Sequence, residues 1–104
     1  MSKGTESIGV SRCTGRPNWI VKVEARLDTG ASRSSIDLAF AELLHLDLVG
    51  EVKVRNANGV EIRDTVYITI IKGNREVELE VSLADRVSMN YPVILGRDYL
   101  EAME

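Results

Sequence analysis

The sequence has few of the residues that bind metals or form disulfides. It contains one cysteine, Cys13, and one histidine, His45, so an internal disulfide is impossible and a Cys/His zinc site lacks ligands. Neither a His-Glu-x-x-His helix nor a Gly-x-x-x-x-Gly-Lys phosphate loop is present. These absences argue against a metalloprotease and against any metal or nucleotide cofactor. The unpaired cysteine favours a reducing, cytoplasmic compartment.

Long apolar runs and a strong net charge are absent as well. No stretch is long enough to span a bilayer, and none resembles a signal peptide. The formal net charge is only -3 and the basic residues are scattered, which argues against nucleic-acid and membrane partners. With 104 residues, 44% of them hydrophobic, the chain is predicted to form one domain over residues 1–104, with residues 1–7 as a loose N-terminal arm.

The most informative feature is an apolar strand that ends on a carboxylate. Every second residue from Trp19 to Leu27 is apolar and those between are mostly charged, as in a half-buried strand. Asp28-Thr29-Gly30 follows at once, and Gly30 permits a sharp turn close to the Asp28 carboxylate. Near the other end of the chain, Ile94-Leu95-Gly96 is an apolar run closed by glycine. We expect this run to pack beneath the Asp28 loop and to shield it from water.

The rest of the pattern predicts a mainly β, barrel-like domain with two short helices. Asp37 can cap a short helix that has Leu38, Ala41 and Leu44 on one face. The Asn58-Gly59 pair favours a tight hairpin turn. Strands are expected over residues 8–12, 51–55, 60–66, 66–70, 77–83 and 91–95, and a closing helix over residues 97–103.

The position of Asp28 suggests hydrolysis of peptide bonds. Two facing carboxylates that share one proton can activate a water molecule and protonate the carbonyl oxygen of the scissile bond. The chain holds one Asp-Thr-Gly, so a homodimer would have to supply the second Asp28. In such a dimer the Thr29 hydroxyl could reach across the two-fold axis. A purely structural turn is the usual role of an isolated Asp-Thr-Gly, but the preceding strand and the later apolar-apolar-Gly favour catalysis.

These motifs resemble the retropepsin-like aspartic proteases. The segment 27–31 looks like their active-site loop, and 94–100 resembles the segment that opens the C-terminal helix of retroviral proteases. Residues 83–86, Met89 and 92–97 are more similar to the RimB-type branch, a family often labelled an ATP-dependent zinc protease. That label finds no support in the residues of this chain.

The resemblance implies a closed β-barrel of the acid protease fold, a homodimer, no cofactor and a peptide or protein substrate. It also implies one catalytic aspartate per subunit, within the Asp28, Thr29 and Gly30 motif, and a hairpin flap over the cleft. The RimB-type branch further implies proteolytic processing of polyglutamylated, glutamate-rich tails. The substrate-binding residues expected on this basis are Ala31, Arg33, Asn56, Ala57, Asn58, Gly59 and Ile94.

The chain departs from the retroviral pattern in two places. Ser32 and Arg33 stand where retroviral enzymes carry acids, so Arg97 needs another partner, for which Asp98 and Asp85 are candidates. No terminal strand follows the last helix to join two subunits, so how a dimer is held together is left open.

The sequence leaves alternatives open for the remaining polar residues. Arg33 could attract acidic substrate side chains or be a solvated loop charge. Lys53, Arg55 and Arg63 on alternating strands are usually an exposed face, but we hypothesise that they favour glutamate-rich peptides. Cys13 and His45 are expected to be structural. The competing functional interpretation is a catalytically inactive, retropepsin-like module that binds peptides or dimerises.

Overall fold

The computed structural model describes residues 4–12, 20–84 and 91–103. Within these ranges the chain forms seven strands and two short helices. Cys13, Trp19, Asp85 and Met89, singled out in the sequence, lie outside the described residues. In chain order the elements are β1 (Thr5–Arg12), β2 (Val21–Leu27), β3 (Ser35–Asp37), α1 (Leu38–Leu43), β4 (Leu48–Asn56), β5 (Gly59–Lys72), β6 (Arg75–Ala84), β7 (Val93–Leu95) and α2 (Arg97–Ala102).

The strands form one sheet that closes into a barrel. Its order is β1-β2-β7-β3-β6-β5-β4, and an additional pairing of β1 with β5 closes a ring of six strands and leaves β4 outside it. Most pairings are antiparallel, but β2 runs parallel to β7 and β3 parallel to β6. This confirms the predicted mainly β, closed-barrel fold with two short helices.

The core fills the barrel with side chains from the six strands of the ring and from both helical segments. Ala25 of β2 is fully buried, while Lys22, Glu24 and Arg26 are exposed, which confirms the predicted alternation. The main buried apolar side chains are Ile8, Val10, Ala25, Ile36, Ala41, Leu44, Val66, Ile68, Ile70, Val81, Val93, Leu95 and Tyr99. Neither helix in the described part of the chain is long and apolar enough to cross a membrane.

Several predicted boundaries are wrong. Strand β3 was not predicted, and β4 begins at Leu48 instead of Glu51. Two further differences have a clear physical reason. The loose arm was expected to reach Ser7, but β1 begins at Thr5, and Thr5 to Ser7 pair antiparallel with Arg26 to Glu24. These polar residues are ordered by backbone hydrogen bonds, which do not depend on apolar alternation. The strands expected over residues 60–66 and 66–70 are one continuous strand, β5. Its first half projects beyond the barrel with β4 as a long hairpin, so its burial pattern changes without a break in the strand.

The hairpin turn lies where the sequence predicts it. Asn56 pairs with Gly59, so Ala57 and Asn58 form a two-residue loop. Gly59 has a φ of +124°, a backbone conformation that favours glycine over residues with a Cβ atom. The positive angle expected of the Asn-Gly pair therefore occurs at the glycine.

Helix α1 is capped at both ends. At its start, the Phe40 N–H donates to Asp37 Oδ2 over 3.3 Å, as the sequence predicts. At its end, the His45 N–H donates to the Glu42 oxygen over 3.1 Å and the Leu46 N–H to the Ala41 oxygen over 3.2 Å. This pair of bonds is a Schellman motif, which requires a left-handed residue after the helix. His45 occupies that position with a φ of 56°.

Replacing His45 by glycine should stabilise the protein. A non-glycine residue in the left-handed region carries steric strain, so His45→Gly should raise the free energy of unfolding by about 0.5–1 kcal/mol. Chemical denaturation would measure this change. His45→Ala is the control, because it removes the imidazole but keeps the Cβ atom; an equal gain in both variants would contradict the explanation.

Candidate active site

Asp28 lies where two parallel strands end together. Strand β2 runs beside β7, and the Asp28 N–H donates to the Leu95 oxygen over 2.8 Å, which continues the ladder by one residue. The Gly30 N–H donates to Asp28 Oδ1 over 3.0 Å, and the Ala31 N–H donates to the Asp28 oxygen over 3.1 Å. The carboxylate is thus oriented by its own turn while remaining exposed to solvent.

Gly30 provides the close approach expected from the sequence. A Cβ atom at this position would lie 3.3 Å from Asp28 Oδ1, which is a tight contact. Thr29 is exposed beside Asp28. That its hydroxyl reaches across the two-fold axis of a dimer stays a prediction.

The loop that follows Asp28 is bound to the start of α2 by a buried group of hydrogen bonds. Asp98 Oδ1 accepts from Ser34 Oγ over 2.6 Å and from the Tyr99 N–H over 2.7 Å, and both carboxylate oxygens lie 3.0 Å from the Ser34 nitrogen. Ser34 Oγ in turn accepts from the Gly96 N–H over 2.9 Å. We call Ser34, Gly96 and Asp98 the loop–helix cluster. Ser34 is completely buried in it, so the cluster holds the loop rigidly.

Backbone contacts reinforce this cluster. The Arg97 N–H donates to the Ala31 oxygen over 2.8 Å, and the Asp98 N–H donates to the Ser32 oxygen over 3.2 Å. A Cβ atom on Gly96 would lie 2.7 Å from the Ala31 oxygen and 2.9 Å from the Arg33 carbonyl carbon. The glycine of the apolar-apolar-Gly motif is therefore needed for the close packing of the two segments, as the sequence suggests.

Arg97 does not pair with Asp98, one of its two predicted partners. Arg97 is exposed, Asp98 is engaged in the loop–helix cluster, and no ion pair joins them. Asp85, the other predicted partner, lies outside the described residues. Among the described residues, Asp98 bonds to Ser34 and not to Arg97.

A second contact fixes α2 to the barrel. The Tyr99 hydroxyl, on a buried ring, donates to Glu6 Oε2 of β1 over 2.8 Å. Burial raises the pKa of Tyr99 well above its usual value, and the hydrogen bond to Glu6 and the charge of its carboxylate add to the shift. The hydroxyl therefore stays protonated and remains a hydrogen-bond donor.

A cleft of about 500 Å³ opens above Asp28, between the active-site loop and the hairpin. Of the predicted substrate-binding residues, Ala31, Arg33 and Ile94 line this cleft together with Asp28. The turn residues Ala57, Asn58 and Gly59 are not among the residues that line it in the single chain, and the side chain of Asn56 lies outside the described structure. The lining residues are Asp28, Gly30, Ala31, Ser32, Arg33, Ser35, Val52, Lys53, Val54, Arg55, Arg63, Ser82, Ala84 and Ile94.

Four consecutive residues of β4, 52–55, line the cleft. Successive side chains of a strand point to opposite faces, so a run of four means that the edge of β4 faces the cleft. In the described part of the chain β4 pairs only with β5, which leaves that edge open. The sequence did not predict this contact, because alternation indicates which face is apolar and not which edge is free.

The base of the hairpin is joined to the active-site loop through β6. Thr65 Oγ1 donates to Glu80 Oε2 over 2.6 Å, and Arg33 Nη1 donates to the Glu80 oxygen over 3.0 Å. Gly50 adjoins an irregularity in the pairing of β4 with β5, and a Cβ atom there would lie 3.2 Å from Glu80 Oε2. The position of the hairpin over Asp28 is therefore linked to the loop that carries Asp28.

The described lining of the cleft combines one carboxylate and three serine hydroxyls with apolar and basic side chains. Among residues 4–12, 20–84 and 91–103, no three His, Cys, Asp or Glu side chains gather where they could hold a metal ion. Asp28 is the one acidic side chain among the described residues that line the cleft. The described residues of this chain therefore bring one carboxylate to the cleft.

Comparison with known proteins agrees with this geometry. A family model described as "gag-polyprotein putative aspartyl protease" matches residues 19–102. No curated protein sequence matches the chain significantly.

Solved structures with a similar fold include three proteases. The EIAV protease complexed with the inhibitor HBY-793 has a TM-score of 0.72 at 22% identity, over 95% of this chain and 86% of that one. The simian foamy virus (mac) protease gives 0.62 at 19% identity, over 94% of each chain. A retropepsin-like aspartic protease from Rickettsia conorii gives 0.58 at 19% identity, over 98% of this chain and 83% of that one.

Removing the Ser34 hydroxyl should destabilise the protein. Ser34→Ala leaves the buried Gly96 N–H without its acceptor and takes one donor from Asp98, so the free energy of unfolding should fall by about 1–3 kcal/mol. Thermal or chemical denaturation would measure the loss. Ser32→Ala is the matched control on the same loop, because that side chain is exposed. Equal stability of the two variants would show that the loop–helix cluster does not hold the loop.

Proposed function

Since the chain belongs to the gag-polyprotein aspartyl protease family, within the retropepsin-like aspartic proteases, we propose that it is a homodimeric aspartic endopeptidase. The observation that carries the proposal is Asp28 itself. It is exposed, oriented by the Gly30 N–H, and opens onto a cleft large enough for a peptide. The lack of a second carboxylate among the described residues of that cleft supports a dimer, in which symmetry provides it.

The mechanism is general acid–base catalysis by two Asp28 carboxylates that share one proton. The ionised Asp28 takes a proton from a water molecule, whose oxygen attacks the scissile carbonyl carbon. The protonated Asp28 of the other copy donates its proton to the carbonyl oxygen. When the C–N bond of the tetrahedral intermediate breaks, the proton that the first Asp28 took from the water passes to the leaving nitrogen. The other Asp28 takes back the proton of the hydroxyl that becomes the new carbonyl oxygen, which restores the starting state. No covalent enzyme intermediate forms, and Thr29 and Gly30 keep each carboxylate in place.

The hairpin and the cleft support an extended peptide as the substrate. The free edge of β4 offers backbone groups with which a peptide strand can pair, and Ala31, Arg33 and Ile94 line the opposite side. We propose that residues 56–59 act as the tip of a flap that closes over the bound peptide. Ala57, Asn58 and Gly59 are exposed in the single chain, which leaves them accessible to substrate or to a second copy.

The charge of the cleft supports acidic substrates. Four basic side chains line it beside one acidic one, although the whole chain has a net charge of -3. We propose glutamate-rich peptides, including polyglutamylated tails, as preferred substrates. This choice also follows from the resemblance of residues 83–86 and 92–97 to the RimB-type branch.

The first test is the activity of Asp28→Asn. This change keeps the shape of the side chain but removes the shared proton, so cleavage of a peptide library should fall by at least about 1000-fold while the fold and the dimer persist. Digestion assays and analytical ultracentrifugation would measure the two properties. Asp47→Asn, on an exposed loop residue, should cleave like the wild type.

Unchanged cleavage by Asp28→Asn would refute the mechanism. A wild-type protein that stays monomeric and binds peptides without cleaving them would instead favour the inactive binding module, because one Asp28 lacks its proton-sharing partner.

The second test is the effect of salt on substrate preference. Raising the ionic strength from about 0.1 M to 1 M shortens the screening length from roughly 10 Å to 3 Å. Cleavage of glutamate-rich peptides should therefore decrease more than cleavage of neutral peptides of the same length. A parallel decrease for both would contradict the preference for acidic substrates.

A further inference from the structure

The four basic residues of the cleft differ in how far they are already neutralised. Arg63 Nη2 forms an ion pair with Glu61 Oε1 over 3.1 Å, and the Arg63 side chain is only 16% exposed. The two residues are separated by one position on β5, so both lie on the same face of the hairpin. A substrate carboxylate that approached Arg63 would have to compete with this local partner.

Lys53 and Arg55 belong to the other face of the hairpin. Lys53 pairs with Ile62 and Arg55 with Val60, whereas Arg63 pairs with Val52. Paired residues of an antiparallel ladder share a face, and all four residues of the first two pairs are exposed. The two cations contribute to the potential of the cleft, but their side chains share the outer face with Val60 and Ile62.

Arg33 is held in place from several sides. Its carbonyl group packs on Gly96, and the Ser34 oxygen beside it accepts from the Ser82 N–H over 3.1 Å. The guanidinium donates to the Glu80 oxygen through Nη1 over 3.0 Å. Within the described residues, no carboxylate lies at salt-bridge distance from it. Arg33 is therefore an oriented cation of the cleft that no described carboxylate neutralises, five positions after Asp28.

From these contacts we infer that Arg33 is a specificity-determining residue, which selects an acidic side chain at one position of the bound peptide. A guanidinium has five N–H donors, so the bond to Glu80 leaves others for a carboxylate. Because the group is already anchored, binding a carboxylate costs it little conformational freedom. The inference rests on the proposed function and adds the residue that selects the substrate.

Matched peptides can test this assignment. In an otherwise neutral peptide, glutamate is compared with glutamine at each position near the scissile bond, and the ratio of the two kcat/KM values is measured. In the wild type, one position should favour glutamate. Arg33→Gln should lower that ratio by roughly 10-fold at that position alone. Arg33→Lys keeps the charge but loses the planar fork, so its ratio should lie between those of the wild type and Arg33→Gln.

Two variants that each remove one positive charge serve as controls. Arg63→Gln should lower the ratio by no more than about 2–3-fold, because Glu61 already neutralises that cation. Lys22→Gln, on the exposed face of β2, should leave it unchanged. Equal losses in Arg33→Gln and Arg63→Gln, or a loss spread over every position, would overturn the inference in favour of a diffuse potential.

A binding assay separates this inference from the proposed catalysis. Fluorescence anisotropy on Asp28→Asn, with and without Arg33→Gln, gives the dissociation constants of the glutamate and glutamine peptides without turnover. Tighter binding of the glutamate peptide that disappears with Arg33→Gln would support the role of Arg33 even if the wild type cleaves nothing. Equal binding of the two peptides by Asp28→Asn would refute it even if the wild type is a protease.

Discussion

The hydrogen bonds between Ser34 and Asp98 join the two segments on which the site depends. One segment carries Asp28 and the other begins α2, and they are far apart in the sequence. Ser34 Oγ both donates to Asp98 and accepts from Gly96, so its hydroxyl joins the two segments from a buried position. Such a group is costly to disturb, because each partner left unpaired in the interior loses its solvation without compensation. The geometry around Asp28 therefore depends on a serine that takes no part in the chemistry.

A second connection runs from this loop to the hairpin. Arg33 binds the backbone of Glu80, and the side chain of Glu80 accepts from Thr65 at the base of the hairpin. The loop that carries Asp28 and the hairpin, which border the cleft, are thus both bonded to Glu80 of β6. A short chain of hydrogen bonds therefore connects the loop that carries Asp28 with the hairpin.

The sequence predicts the local features of this molecule well. The alternation that places Ala25 inside, the cap formed by Asp37 and the hairpin turn over residues 56–59 each depend on neighbouring residues, and the structure confirms them. Features that join distant residues were predicted less well. The partner of Asp98 could not be inferred, because a serine in a polar loop carries no sign that it will be buried. The length of β5 was underestimated, since a strand that leaves the core changes its pattern of burial. Similarly, the sequence indicates only that Lys53 and Arg55 lie on an exposed face. It does not indicate that the edge of β4 borders the cleft.

The open edge of β4 has a consequence for solubility. A strand with free backbone groups can recruit a strand of another molecule and start aggregation. Here Lys53 and Arg55 alternate with Val52 and Val54 along that edge, and positive charges on an edge strand repel an identical strand that approaches it. Lys53 and Arg55 therefore act against the pairing of this edge with the same edge of a second molecule.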